Sequence, residues 1–122
     1  MDSEIQNALE TDRVIDITTI GRKTGQERRI EIWFHYVDGE VYITGLPGTR
    51  SWYANMKANP SFTFHLKESI TADIPATARP VTDEDERREV LNKILHNIDR
   101  VSQLDKWVAQ SPLVHVALKL YD

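Results

Sequence analysis

Asp38 and Gly39 separate two runs of alternating apolar and polar residues, "IEIWFHYV" before them and "EVYIT" after them. Both central residues of the tight type I′ turn need a positive φ, which Asp and Gly tolerate, so this dipeptide is the strongest hairpin signal in the chain. It predicts antiparallel strands near residues 28–37 and 40–45. In the first of these, Ile30, Ile32, Phe34 and Tyr36 share one face and Arg29, Glu31, Trp33 and His35 the other, because strand side chains alternate with period two. The first face reads as core and the second as functional in character.

The same alternation recurs. "RVIDITTI" sets Ile15 and Ile17 against Asp16 and Thr18, and "SFTFHLK" sets Phe62, Phe64 and Leu66 against Thr63, His65 and Lys67. "ITADIPATARPV" is a further strand whose Pro75 predicts an edge or a bulge, and "PLVHVALKLY" closes the chain. Helices are fewer. Residues 1–12 suggest a short N-terminal helix through Ile5 and Leu9. A second helix starts near Arg50 or Ser51 and stops at Asn59-Pro60. Thr82 is the expected N-cap of the longest helix, with Asp85 three residues on and Val90, Leu91, Ile94, Leu95 and Ile98 as its apolar stripe. "SQLDKWVAQ" is a further short helix. About six strands without regular βαβ alternation indicate an α+β protein, mainly an antiparallel six-stranded barrel, closed or partly closed, in one domain over residues 1–122.

Composition narrows the function. The 122 residues carry 15 Lys and Arg against 19 Asp and Glu, a net charge of -4, so any anion site must be local and a nucleic-acid groove is disfavoured. The absence of cysteine excludes disulfides, thiolate zinc sites and cysteine nucleophiles, and agrees with a cytoplasmic location. The polar N-terminus and the lack of a long apolar run predict a soluble chain without a leader or membrane span. The histidines, His35, His65, His96 and His115, have no metal-ligand spacing, and Ser51 has no activating partner, so neither a metal site nor a protein nucleophile is expected.

One local anion site does stand out. "TTIGRKTGQERR" places Arg22, Lys23, Arg28 and Arg29 around Gly21 and Gly25 in what must be a turn, an arrangement that suits phosphate or carboxylate. It matches neither a P-loop nor GxGxxG, and by itself a solvated basic hairpin is the plainer reading. Downstream, "GLPGTRSWYANMKANP" brings Arg50, Trp52 and Asn55 to a helix start, where free N–H groups again favour anions. Cations, aromatics and glycines together suit a flat ring on a phosphorylated tail.

The order "TTIGRKTGQERRIEIWF", "DGEVYIT", a glycine loop, "WYANMKANP" and "ARPVTDEDERREV" resembles the deazaflavin-dependent nitroreductase and quinone reductase family, over roughly residues 14–120. The resemblance implies a split β-barrel, often a homodimer, that binds the reduced deazaflavin coenzyme F420 and passes hydride to a small-molecule quinone or nitro acceptor. It implies that Arg22, Lys23 and Arg28 hold the cofactor's phosphate and polyglutamyl tail and that the loop before "WYxN" lies against the ring. The expected cofactor-binding set is therefore Arg22, Lys23, Thr24, Arg28, Glu31, Trp33, Arg50, Trp52 and Asn55, with no catalytic residue beyond the cofactor's own chemistry. The chain departs from the family pattern at a shortened loop, where Leu46 stands near an expected Lys, and at Glu31, which replaces a Pro. Aliphatic Ile98, Val101 and Leu104 stand where nitroimidazole-reducing members carry tyrosines. A split barrel using FMN or FAD, or a ligand-binding barrel without catalysis, are the alternatives.

Overall fold

The computed structural model describes residues 3–120. Its elements are α1 (Ser3–Thr11), β1 (Val14–Ile20), β2 (Glu27–Trp33), β3 (His35–Val37), β4 (Glu40–Thr44), α2 (Ser51–Ala58), β5 (Ser61–Leu66), β6 (Ala72–Pro80), α3 (Glu84–Asn97), α4 (Leu104–Gln110) and β7 (Leu113–Leu118), with a 3-10 turn at Val101–Gln103. Met1 and Asp2 of the expected N-terminal helix and Tyr121 of the expected last strand lie outside the described residues.

The strands form one antiparallel sheet in the order β2-β1-β5-β6-β7-β4-β3. Its two end strands are consecutive in the chain. The run expected as a single strand over 28–37 is divided at Phe34: its first half pairs with β1, from Val14↔Trp33 to Ile20↔Glu27, and its second half with β4. One stretch of backbone thus serves as both ends of the sheet, which curls into a half-barrel whose ends are joined through Phe34 and not by a β2–β3 ladder. The expected count of six rises to seven because this stretch changes partners. Parity survives the break: Ile32, Phe34 and Tyr36 pack against the same core, and the Phe34 N–H donates to the Arg13 carbonyl at 3.0 Å.

The hairpin follows its sequence signal, with Asp38 at φ 53° and Gly39 at φ 78° and Val37 opposite Glu40. Inside the barrel Ile15, Ile17, Phe64, Leu66 and Ile43 are almost fully buried, and Phe34 meets Phe64 edge-on at 5.5 Å between ring centroids. A second cluster lies outside the barrel, where Val90, Leu91, Ile94 and Leu95 of α3 and Trp107 of α4 cover Val37, Tyr42 and Leu113.

Two expectations are corrected. Pro75 sits in an interior strand, since β6 pairs with both β5 and β7. The Pro75 carbonyl still accepts from the Lys119 N–H at 2.9 Å, so the ring removes one bond at the end of the β6–β7 ladder, which stops at Ala76↔Leu118, and leaves the Thr63↔Pro75 pairing with β5 in place. The N-cap of α3 is Asp83 rather than Thr82: its carboxylate accepts from the Glu86 N–H at 2.9 Å.

Candidate functional site

β1 leads into a turn held by its own backbone. The Gly21 N–H donates to the Gln26 carbonyl and the Gly25 N–H to the Gly21 carbonyl, both at 2.8 Å. Gly25 adopts φ 71°, and a Cβ on Gly21 would stand 2.8 Å from Thr24 Oγ1 and 3.3 Å from the Gln26 carbonyl. Both glycines are therefore required by the geometry, one for its φ and one for the close approach.

α2 docks beside this turn, and Asn55 joins the two. Its buried Oδ1 accepts from the backbone N–H and from Nη1 of Arg22, each at 3.1 Å, and its Nδ2 donates to Thr19 Oγ1 at 3.4 Å. The first turn of α2 carries no side-chain cap, so its N–H groups remain available at the groove edge beside Ser51 and Trp52. Between turn and helix lies a groove of about 440 Å³, walled by Arg22, Lys23, Thr24, Arg28, Trp52 and Asn55 and floored by Thr19, Gly21, Ile30 and Ser51. Its wall has three cations and no carboxylate. Among the described residues none of Arg22, Lys23 and Arg28 forms an ion pair, although Arg29 next to them is bound to Asp16 at 3.0 Å. Unpaired cations, the uncapped first turn of α2 and an aromatic wall in one groove suit an extended anion that ends in a flat ring.

Six of the nine expected site residues meet here: Arg22, Lys23, Thr24, Arg28, Trp52 and Asn55. Three do not. Glu31 points to the other side of β2, where Lys67 bridges it at 2.5 Å to Asp16 at 2.7 Å, and the Lys67 ammonium is the main reason the Asp16 carboxyl titrates below its ordinary value. Trp33 shares that outward parity and lies under the Arg13 guanidinium, 5.8 Å from its ring centroid. Arg50 folds over its own loop, donating to the carbonyls of Thr49 at 2.8 Å and Leu46 at 2.9 Å, and faces a different cavity. The face of β2 that reaches the groove is that of Arg28 and Ile30, opposite to the one singled out from the residue types.

Four groove residues escaped the sequence reading as site members: Thr19, Gly21, Ile30 and Ser51. Thr19 and Ile30 carry a legible signal, because both follow the inward parity of their strands toward the turn. Elsewhere, Arg13, Trp33 and His35 line a smaller pocket of about 310 Å³ against α1. Burial, with the Arg13 charge second, pushes the His35 imidazole down to about 4, so it is neutral at physiological pH.

Known proteins share this construction. The family model described as F420H(2)-dependent quinone reductase matches residues 1–117. A conserved hypothetical protein from Mycobacterium tuberculosis superposes with a TM-score of 0.75 at 17% identity, covering 98% of this chain and 81% of its own. A structure described as an F420-H2 dependent reductase gives 0.65 at 22% identity, covering 87% and 95%. A FAD-binding protein from Mesorhizobium loti gives 0.70 at 16% identity, covering 98% and 90%. These structural likenesses establish a shared split-barrel fold.

Proposed function

We propose a role for the groove from one premise: the chain belongs to the F420H(2)-dependent quinone reductase family, and is accordingly an F420-dependent oxidoreductase. In this reading the groove between the 21–25 turn and α2 holds the anionic tail of F420, and the acceptor is a quinone. The observation that carries it is the set of three carboxylate-free cations converging on one groove in a protein of net charge -4. The residues present suit the cofactor. Arg22, Lys23 and Arg28 neutralise phosphate and carboxylate charge, and Asn55 fixes Arg22 before the ligand arrives. Ile30 and Trp52 supply a surface for a flat ring and exclude water there. When bound, the reduced deazaflavin supplies the hydride; the protein's part is to bind, orient and keep the ring dry.

A nitro compound is the secondary acceptor class; aliphatic Ile98, Val101 and Leu104, which stand where the resemblance puts the tyrosines of nitroimidazole-reducing members, disfavour that drug class alone. A homodimer belongs to the same proposal, supported by β2, which is exposed at every residue but Ile32 and has a strand partner on one edge alone. No helix among the described residues is long and apolar enough to cross a membrane. A cytoplasmic location rests on the cysteine-free composition.

The test is a fluorescence titration with F420, FMN and FAD at two salt concentrations, followed by turnover with quinones and nitro compounds. F420 should bind most tightly and lose affinity with salt, and Arg22→Ala with Lys23→Ala should weaken it about tenfold or more without changing the unfolding midpoint. Preference for FMN or FAD, or salt-independent binding of F420, would overturn the assignment of the cationic turn.

A further inference from the structure

α2 has two occupied faces. Ser51, Trp52 and Asn55 look onto the cofactor groove, whereas Arg50, Tyr53, Ala54 and Lys57 line a second cavity of about 600 Å³ on the other side of the helix. The rest of that wall comes from the loop before α2, the segment leading into α3 with Arg87 of that helix, and the end of α4 with the two residues after it. Its volume is in the range of small-molecule sites.

Charge in this cavity is unbalanced. Arg87 is buried, and all its bonds go to carbonyls: Nε to Val108 at 2.9 Å, Nη1 to Val81 at 2.9 Å, and Nη2 to Trp107 at 3.2 Å and Ser111 at 2.6 Å. Three of these acceptors lie at the C-terminal end of α4, whose dipole favours a cation. Carbonyls satisfy the guanidinium's donors, yet no carboxylate cancels its charge, and burial lowers its affinity for the proton. Arg50 and Lys57 add two more cations, neither in an ion pair among the described residues, and the wall contains no Asp or Glu. The Lys57 ammonium lies 4.8 Å from the centroid of the Tyr53 ring. Ser111, also in the wall, has the one buried side-chain oxygen without a hydrogen-bond partner among the described residues. Such groups are rare in folded proteins, and rotation about a single χ1 bond redirects this one. Otherwise the surface is apolar, from Val81, Pro112, Ala54 and the Tyr53 ring.

We propose that this cavity binds a small amphipathic carboxylate, aromatic or short aliphatic, at a site separate from the cofactor groove. The carboxylate sits between Arg50 and Lys57 with the Ser111 hydroxyl as a further donor, and the apolar body lies on Tyr53, Val81 and Pro112. A bare inorganic anion would use the cations and leave the apolar wall wet. A neutral aromatic would do the reverse.

Calorimetric titration of the full chain with benzoate, benzamide and inorganic phosphate tests this. Benzoate should bind saturably in about the 0.1–1 mM range, with benzamide and phosphate each about tenfold weaker. Lys57→Met should weaken benzoate about fivefold with the unfolding midpoint unchanged, Lys57→Gln serving if that variant does not fold, and Arg22→Ala with Lys23→Ala should leave benzoate binding untouched. The proposal fails if benzamide or phosphate matches benzoate, if the Arg22 and Lys23 variant weakens benzoate, or if benzoate shows no saturation at tens of millimolar. Since the cofactor titration reads the other face of α2, either assignment can fall without the other.

Discussion

β1 and β2 are hydrogen-bonded neighbours with the same alternation in sequence, and their fates are opposite. β1 buries Ile15, Ile17 and Thr19 and half-buries the residues between them, whereas β2 exposes all but Ile32, including Ile30 at 40% and Trp33 at 50%. The difference is in their surroundings. β1 lies between β2 and β5, with the barrel contents on its inner face; β2 is an end strand whose inner face, toward the turn, opens on the groove beside α2. Alternation states which residues share a face. Burial requires something to lie on that face, and at Ile30 only the open groove does.

The contrast can be broken most directly by truncation. Ile17→Ala should cost about 2–5 kcal/mol in urea unfolding, because it leaves a void in a packed barrel. Asn55→Ala comes next, at about 1–3 kcal/mol, since it orphans the Thr19 hydroxyl and releases Arg22; F420 affinity should fall with it. A rise in F420 affinity would mean that Asn55 restrains the turn rather than preparing it.

In β3, His35 gives a pH-dependent measure. The imidazole titrates near 4 in the fold and near 6.5 when unfolded, so the unfolded chain takes up a proton first as pH falls. Stability from this group is complete above pH 6.5 and is lost progressively as pH falls from 6.5 to about 4, on the order of 1 kcal/mol after allowing for partial solvent screening. His35→Asn should flatten that slope in the urea midpoint against pH; an unchanged slope would place the titration elsewhere. The smallest effect on stability belongs to Ile30→Ala, within about 0.5 kcal/mol, as expected at an exposed position. That variant should instead weaken F420 binding. If it destabilises the fold as much as Ile17→Ala, the two strands are not as different as their exposure indicates.

Much of this was legible from local rules. The hairpin at Asp38-Gly39, the turn after Ile20, the extent of α2 and the stripe of Val90, Leu91, Ile94 and Leu95 on α3 each depend on a few adjacent residues, and the structure reproduces them, while Ile98 of the expected stripe falls just past the helix as its C-cap. What was not legible depended on remote partners. The split at Phe34 has no Pro or Gly to mark it, because the backbone alternation is unbroken and only the choice of neighbour changes. Pro75 reads locally as an edge or a bulge, and what places it in an interior strand is pairing with β7, over 40 positions later, whose ladder stops one residue short of it. "TDEDE" offers two capping frames of equal local merit, Thr82 with Asp85 and Asp83 with Glu86. Arg79 holds the Glu86 side chain at 2.7 Å, and the fold takes the second frame. In the groove, Glu31 and Trp33 attracted attention by residue type, and parity alone would have chosen Arg28 and Ile30.

Phe34 also ties the two ends of the sheet covalently. β2 is paired to β1 along its whole length and β3 to β4, and a single residue separates the last β2 pair, Val14↔Trp33, from the first β3 pair, His35↔Tyr42. Inserting or deleting one residue there would shift the register of one end against the other and turn inward residues outward.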